Sequence, residues 1–152
     1  MQHQNAQYQL LIESIESLLE KGRCQVAHSV NTILVYTYWQ VGQHIVEYEQ
    51  RGNQKAEYGS FLFEQLSKDL TARCGKGFSR SNLLYMRKFY LEFPKRETLS
   101  HVLCWSHYFE ILKSDNALEI QFYTKQCEKE KWSVRELKRK NAEYALSSHC
   151  ER

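Results

Sequence analysis

Apolar residues recur at spacings of three and four along nearly the whole chain, and no run alternates apolar with polar residues as a half-buried strand requires. Leu11, Ile15 and Leu18, with Ile12 and Leu19, open the pattern, and after Gly22 it resumes through Val26, Val30, Ile33, Leu34, Val41 and Ile45. This predicts two helices, or one bent helix, ahead of the polar stretch 50–54, where Gly52-Asn53 supplies a turn. Phe63, Leu66 and Leu70, flanked by Phe61 and Leu62, mark the next amphipathic helix, which stops near Cys74.

Gly75-Lys76-Gly77-Phe78 reads as a tight turn, because glycine reaches positive φ cheaply, and Ser79 stands where a helix N-cap is wanted. A helix is predicted from Arg80 to Phe93. Pro94 ends it, since proline biases the preceding residue away from helical geometry and cannot extend the ladder. Residues 95–100 read as a loop and 102–112 as a mostly apolar segment with three aromatics. Ser114, Asp115 and Asn116 offer a cap for a helix through about Lys131, and Ser133 with Glu136 fits a capping box that opens a last, charged helix. The fold class expected is all-α, a multi-helix domain of six or seven helices over residues 1–152, with no internal repeat or linker.

A 42% hydrophobic, 26% charged and 13% aromatic composition with one proline excludes collagen-like and disordered classes. The net charge of +3 is too small to announce a polyanion partner, so any such signal must be local. It is concentrated in residues 59–90, which carry six basic and two acidic groups. Five scattered cysteines and no visible export signal point to reduced thiols and a cytoplasmic protein; no apolar run suits a membrane span, so no membrane partner is expected.

Two helices joined by a short glycine-containing turn, inside the one basic segment, form the sequence picture of a helix-turn-helix unit at about residues 59–93. On the second helix Leu83, Met86, Tyr90 and Phe93 share one side, while Ser81, Tyr85, Lys88 and Glu92 form an opposite strip expected to be exposed. A recognition helix reads bases with its N-terminal residues, here Ser79, Arg80, Ser81 and Asn82. Asparagine suits adenine, arginine suits guanine, and Lys76 and Lys88 are placed to hold phosphates on either side. The candidate nucleic-acid-binding set is Lys76, Ser79, Arg80, Ser81, Asn82, Tyr85, Arg87 and Lys88, with DNA as partner. The alternative for Arg80 and Arg87 is an ion pair with Asp69 or Glu64 of the preceding helix.

The blocks Tyr38-Trp39-Gln40-Val41-Gly42, Tyr58-Gly59, Leu66-Ser67-Lys68-Asp69-Leu70, Gly77-Phe78-Ser79-Arg80-Ser81-Asn82-Leu83, Met86-Arg87, Phe89-Tyr90, Trp105-Ser106-His107-Tyr108 and Trp132-Ser133-Val134-Arg135-Glu136-Leu137 resemble the N-terminal domain of YhcG-type proteins over about residues 10–140. In that bacterial family the domain precedes a PD-(D/E)XK nuclease domain, and the resemblance implies a role in DNA binding or in restriction and mobile-element biology. It also implies that the nuclease half is not part of this sequence.

No catalytic residue, metal site or cofactor is expected. Glu136-Leu137-Lys138 is formally E-x-K but lies on a capped helix without a paired aspartate. His101, Cys104 and His107, at i, i+3 and i+6, are too far apart around a helix to converge on zinc, and Cys24 with His28 lacks a third orienting group. The tryptophans and tyrosines read mainly as core, with stacking on unpaired bases as the minor alternative. Arg135, Lys138, Arg139 and Lys140 read as a solvated face or a docking helix. The competing function is a protein-interaction or oligomerisation module, a homodimer through the long N-terminal helices or a dock for a nuclease domain or partner protein.

Overall fold

The computed structural model describes the backbone of residues 2–50 and 56–150, and the side chains of Tyr8, 25–50 and 61–144. Six α-helices and one short 3₁₀ turn make up these residues, and no strand is present among them. α1 spans Gln2–Gln50, α2 Ala56–Cys74, α3 Arg80–Glu92, α4 Trp105–Ile111, α5 Ala117–Glu130 and α6 Val134–Cys150, with the 3₁₀ turn at Arg96–Thr98. The expectation of two N-terminal helices or a bent one resolves to a single helix running through Gly22. Each internal glycine of such a helix, Gly22 and Gly42 here, costs only about 1 kcal/mol, which helix-forming neighbours offset. At 1.5 Å per residue the 49 residues of α1 extend about 74 Å.

The centre of the molecule is α3, whose Leu83, Met86 and Phe89 have no exposed surface. Its first partner is α1, which contributes Val35, Trp39, Ile45 and Val46 to the core. The two backbones come unusually close at Gly42, where even a Cβ would stand 2.1 Å from the Met86 carbonyl oxygen. α2 packs against α3 from another side, placing Phe63 with Ile45, Leu83 and Met86 in one cluster. A second, larger cluster joins Trp39, Phe89 and Phe93 to Tyr108, Ile111, Leu112, Ile120, Tyr123, Cys127 and Leu137, so α4, α5 and α6 close the other flank.

Helix ends are satisfied by chemistry the sequence carries locally. Ser79 Oγ accepts from the Asn82 amide at 3.1 Å, Asn116 Oδ1 from Leu118 at 2.9 Å and Ser133 Oγ from Glu136 at 3.2 Å. Other ends are closed from a distance. The Phe93 carbonyl, left without a helical partner by Pro94, accepts from Trp39 Nε1 at 2.7 Å. Lys131 takes the left-handed conformation at the end of α5, with φ of 52°. Tyr108 is fully buried, and its hydroxyl accepts from the Ser100 amide at 2.9 Å.

Candidate nucleic-acid interface

The link from α2 to α3 is built as its sequence dictates. Gly75 and Gly77 hold φ of 86° and 108°, in the left-handed region that glycine reaches without strain. The Gly75 amide donates to Thr71 O at 3.0 Å, ending α2, and Ser79 then opens α3. Asn82 locks this turn to the rest of the molecule. Its Nδ2 donates to Gly77 O at 2.7 Å, and its Oδ1 accepts from Trp105 Nε1 of α4 at 3.2 Å.

The eight sequence-nominated residues divide into two groups. Lys76, Ser79, Arg80 and Ser81 are exposed around the turn and the start of α3. Asn82, Tyr85, Arg87 and Lys88 are partly covered and engaged inward. Tyr85 packs on Phe109 with ring centroids 4.4 Å apart. Arg87 grips Glu49 of α1 with Nε and Nη2, at 2.8–3.0 Å. The ion pair foreseen with Asp69 or Glu64 therefore has another partner, 38 positions away in sequence. Lys88 Nζ donates to Leu112 O and Ser114 O, both at 2.7 Å, and lies 3.2 Å from Asp115 Oδ1. All three ammonium hydrogens are thereby occupied at the negative end of α4.

The strip Ser81, Tyr85, Lys88, Glu92, expected to be exposed, is exposed only at Ser81, because Phe109 of α4 and residues 112–115 lie against Tyr85 and Lys88, while Glu92 shares a cleft with Gln121, Thr124 and Lys125 of α5. On the buried side Phe89 takes the place expected for Tyr90, which is only half-buried. One residue that sequence reasoning passed over joins the exposed group. Arg73, in the last turn of α2, is exposed immediately before the turn, and its signal was present in the basic count of residues 59–90. Among the described residues Arg73, Lys76 and Arg80 form no ion pair with an acidic side chain.

Beside this surface, between α1 and α2, runs an apolar groove of about 620 Å³ lined by Val41, Ile45, Leu62, Leu66, Leu70 and Phe78 among others. On α6, Arg139 and Lys140 lie within 4.0 and 3.8 Å of Glu143, on a solvated face. His101 stands exposed and apart, whereas Cys104 and His107 meet across the first turn of α4. The Cys24 side chain lies outside the described residues. Among the described residues no group of three or more His, Cys, Asp or Glu side chains is placed to hold a metal ion, and no helix is long and apolar enough to cross a membrane.

The family profile of the DUF1016 N-terminal domain matches residues 14–146. The chain belongs to the DUF1016 N-terminal domain family. This DUF1016 N-terminal domain is 36% identical to the "Putative nuclease YhcG" of Escherichia coli (strain K12) over 180 positions covering 95% of this chain. The alignment covers 48% of YhcG, so the chain spans about half the length of that relative. No solved structure matches this DUF1016 N-terminal domain.

Proposed function

We propose that this chain holds DNA by its phosphate backbone, through a helix-turn-helix-like unit whose contact surface is the turn at 75–79 and the first turn of α3, without catalysing a reaction itself. The observation that carries this reading is the grouping of Arg73, Lys76 and Arg80, exposed and free of acidic partners among the described residues, within eight positions around the N-terminus of α3. A helix N-terminus presents unpaired amides and a partial positive charge, which suit a phosphate oxygen. The hydroxyls of Ser79 and Ser81 stand beside them. With Asn82 held by Gly77 and Trp105, its role is to shape the turn, and direct base contact falls to Ser81. The name "Putative nuclease YhcG" agrees with a nucleic acid as the ligand, and on our reading any hydrolysis belongs to the half of YhcG outside the match.

The test is anisotropy binding of the purified chain to mixed-sequence duplex DNA over a salt series. The Lys76→Ala/Arg80→Ala variant should bind more weakly at low salt, and the slope of log K against log salt should fall by about 1.8, or about 0.9 for each phosphate that is no longer neutralised. Lys88→Met, which removes a cation already committed to α4, should keep the wild-type slope. Equal slopes for the wild type and the double variant would refute the reading.

A second reading, a homodimer through α1, is favoured by Val26, Val30 and Ile33. They lie at i, i+4 and i+7 on one face and are 63%, 54% and 64% exposed. A helical segment without tertiary cover is marginal in water, and burying each such side chain contributes about 1.5–3 kcal/mol. Light scattering should give twice the chain mass for the wild type and one chain mass for Val30→Glu/Ile33→Glu; a monomeric wild type at high micromolar concentration would remove the reading. The groove between α1 and α2 is the corresponding surface for a nuclease domain or partner protein.

A further inference from the structure

Cys104 and His107 form a pair that the DNA-binding reading does not use. Cys104 is the N-cap of α4, an unusual residue there, and its sulfur accepts from the third amide of that helix. His107 Nδ1 lies 3.2 Å from Cys104 Sγ and 3.2 Å from the Cys104 amide nitrogen. On the other side of the ring, Nε2 lies 2.8 Å from the carbonyl oxygen of Trp132, in the link between α5 and α6. A carbonyl only accepts, so Nε2 carries a hydrogen, and Nδ1 is the unprotonated atom, its one lone pair accepting from the Cys104 amide and facing the thiol as well. Nucleophile, base and a third group that orients the base are thus in place, and the thiol is half-buried rather than sealed.

We infer that Cys104 is a modification site, a thiol activated by His107 that exchanges with small disulfides. The thiol proton passes to His107 Nδ1. The thiolate then attacks one sulfur of the disulfide, a new S–S bond forms as the old one breaks, and the leaving thiolate takes up the proton from the imidazolium. Cys104 is oxidised to a mixed disulfide and half of the small disulfide is reduced to a thiol, so electrons and protons balance. The new group also occupies the sulfur that caps α4 and faces His107, which couples the modification to the joint between α4 and the link at Trp132.

The electrostatics agree with this geometry. The bond to His107 is the largest influence on Cys104 and lowers its pKa to about 7, against burial, which raises it. His107 is raised above its ordinary value, chiefly by its bond to Cys104, with the Trp132 carbonyl adding to the effect. From α4 itself and from the α5–α6 side, no charge other than their own acts on either group. Lys140 Nζ of α6 lies over the Trp132 indole ring, 5.9 Å from its centroid.

The experiment follows alkylation of the full chain by iodoacetamide from about pH 6 to about pH 9.5, with peptide mass spectrometry reporting each cysteine. Exposed Cys74 and fully buried Cys127 serve as references in the same tube. Cys104 should react with a midpoint near 7, and oxidised glutathione should form its mixed disulfide at Cys104 in preference to Cys127. His107→Gln keeps a side chain able to close the capping box but removes the base. In that variant the midpoint should rise toward that of an ordinary thiol. At neutral pH the rate should fall about sixfold, because a roughly fiftyfold loss of thiolate is partly offset by a roughly eightfold more nucleophilic one. A wild-type midpoint at or above that of Cys74 overturns the inference without recourse to any variant. So does an unshifted midpoint in a folded His107→Gln protein, or alkylation without any mixed disulfide.

Discussion

Gly42 offers the sharpest test of how α1 and α3 are joined. A methyl group added there would meet Met86 O at 2.1 Å, Met86 C at 2.8 Å and Tyr90 Cβ at 3.1 Å. The first two obstacles are backbone and cannot swing aside, so the helices must separate by about 1 Å to restore ordinary van der Waals distance. A radial gap of 0.5–1 Å already forfeits about a quarter to a half of each atomic attraction across it. The layer that opens holds Trp39, Ile45 and Val46 on one side and Leu83, Met86 and Phe89 on the other. Overpacking of this kind costs about 1–3 kcal/mol, and a rigid obstacle puts Gly42→Ala at the upper end. Alanine returns about 1 kcal/mol of helix propensity within α1. The net loss is about 2 kcal/mol, which for a chain of this length lowers Tm by about 4–8 °C. In urea the midpoint should fall by about 1 M with the slope unchanged. A Gly42→Ala protein that melts at or above the wild-type temperature would refute the close approach of the two helices.

Asn82→Ala should cost about 2–3 kcal/mol, since it removes two side-chain bonds and leaves the Trp105 indole N–H without its acceptor; thermal melting followed by circular dichroism would check this, and an unchanged Tm would remove Asn82 from its locking role. Burial pushes the Cys127 thiol up to about 11 and the Tyr108 hydroxyl up to about 12, from ordinary values of 9.0 and 10.0. The unfolded chain therefore releases these protons first, and stability should fall as pH rises through that window, by at most about 1.4 kcal/mol per unit for each group. Urea midpoints from about pH 8 to about pH 11 would show the decline, and Tyr108→Phe should lessen only the part above about pH 10, leaving the Cys127 part in place; a midpoint that holds constant would contradict the burial of both groups.

What could be read from sequence was the chemistry that acts within a few residues. The glycines at 75 and 77, the cap at Ser79, the start of α3 at Arg80 and its end before Pro94 all depend on local backbone preferences, and the structure has each of them. The all-α class followed from periodicity alone. Long-range partners were not legible. Arg87 finds Glu49 across 38 positions, and Lys88 finds carbonyls that exist as free acceptors only because α4 ends at Ile111. A helical wheel places Tyr85 and Lys88 opposite the core but cannot reveal that α4 lies over them. Cys104 escaped notice as a cap because its usefulness depends on His107 turning back onto it, and histidine is not among the residues that ordinarily close a capping box.

The three tryptophans each sit at a different joint. Trp39 ties α1 to the end of α3, Trp105 ties α4 to its beginning, and Trp132 receives His107 at the link between α5 and α6. The molecule thus carries its own strain gauges. Proteins keeping one indole at a time, with the other two changed to phenylalanine, would report by their intrinsic emission which joint loosens first on heating and which one responds when a ligand arrives.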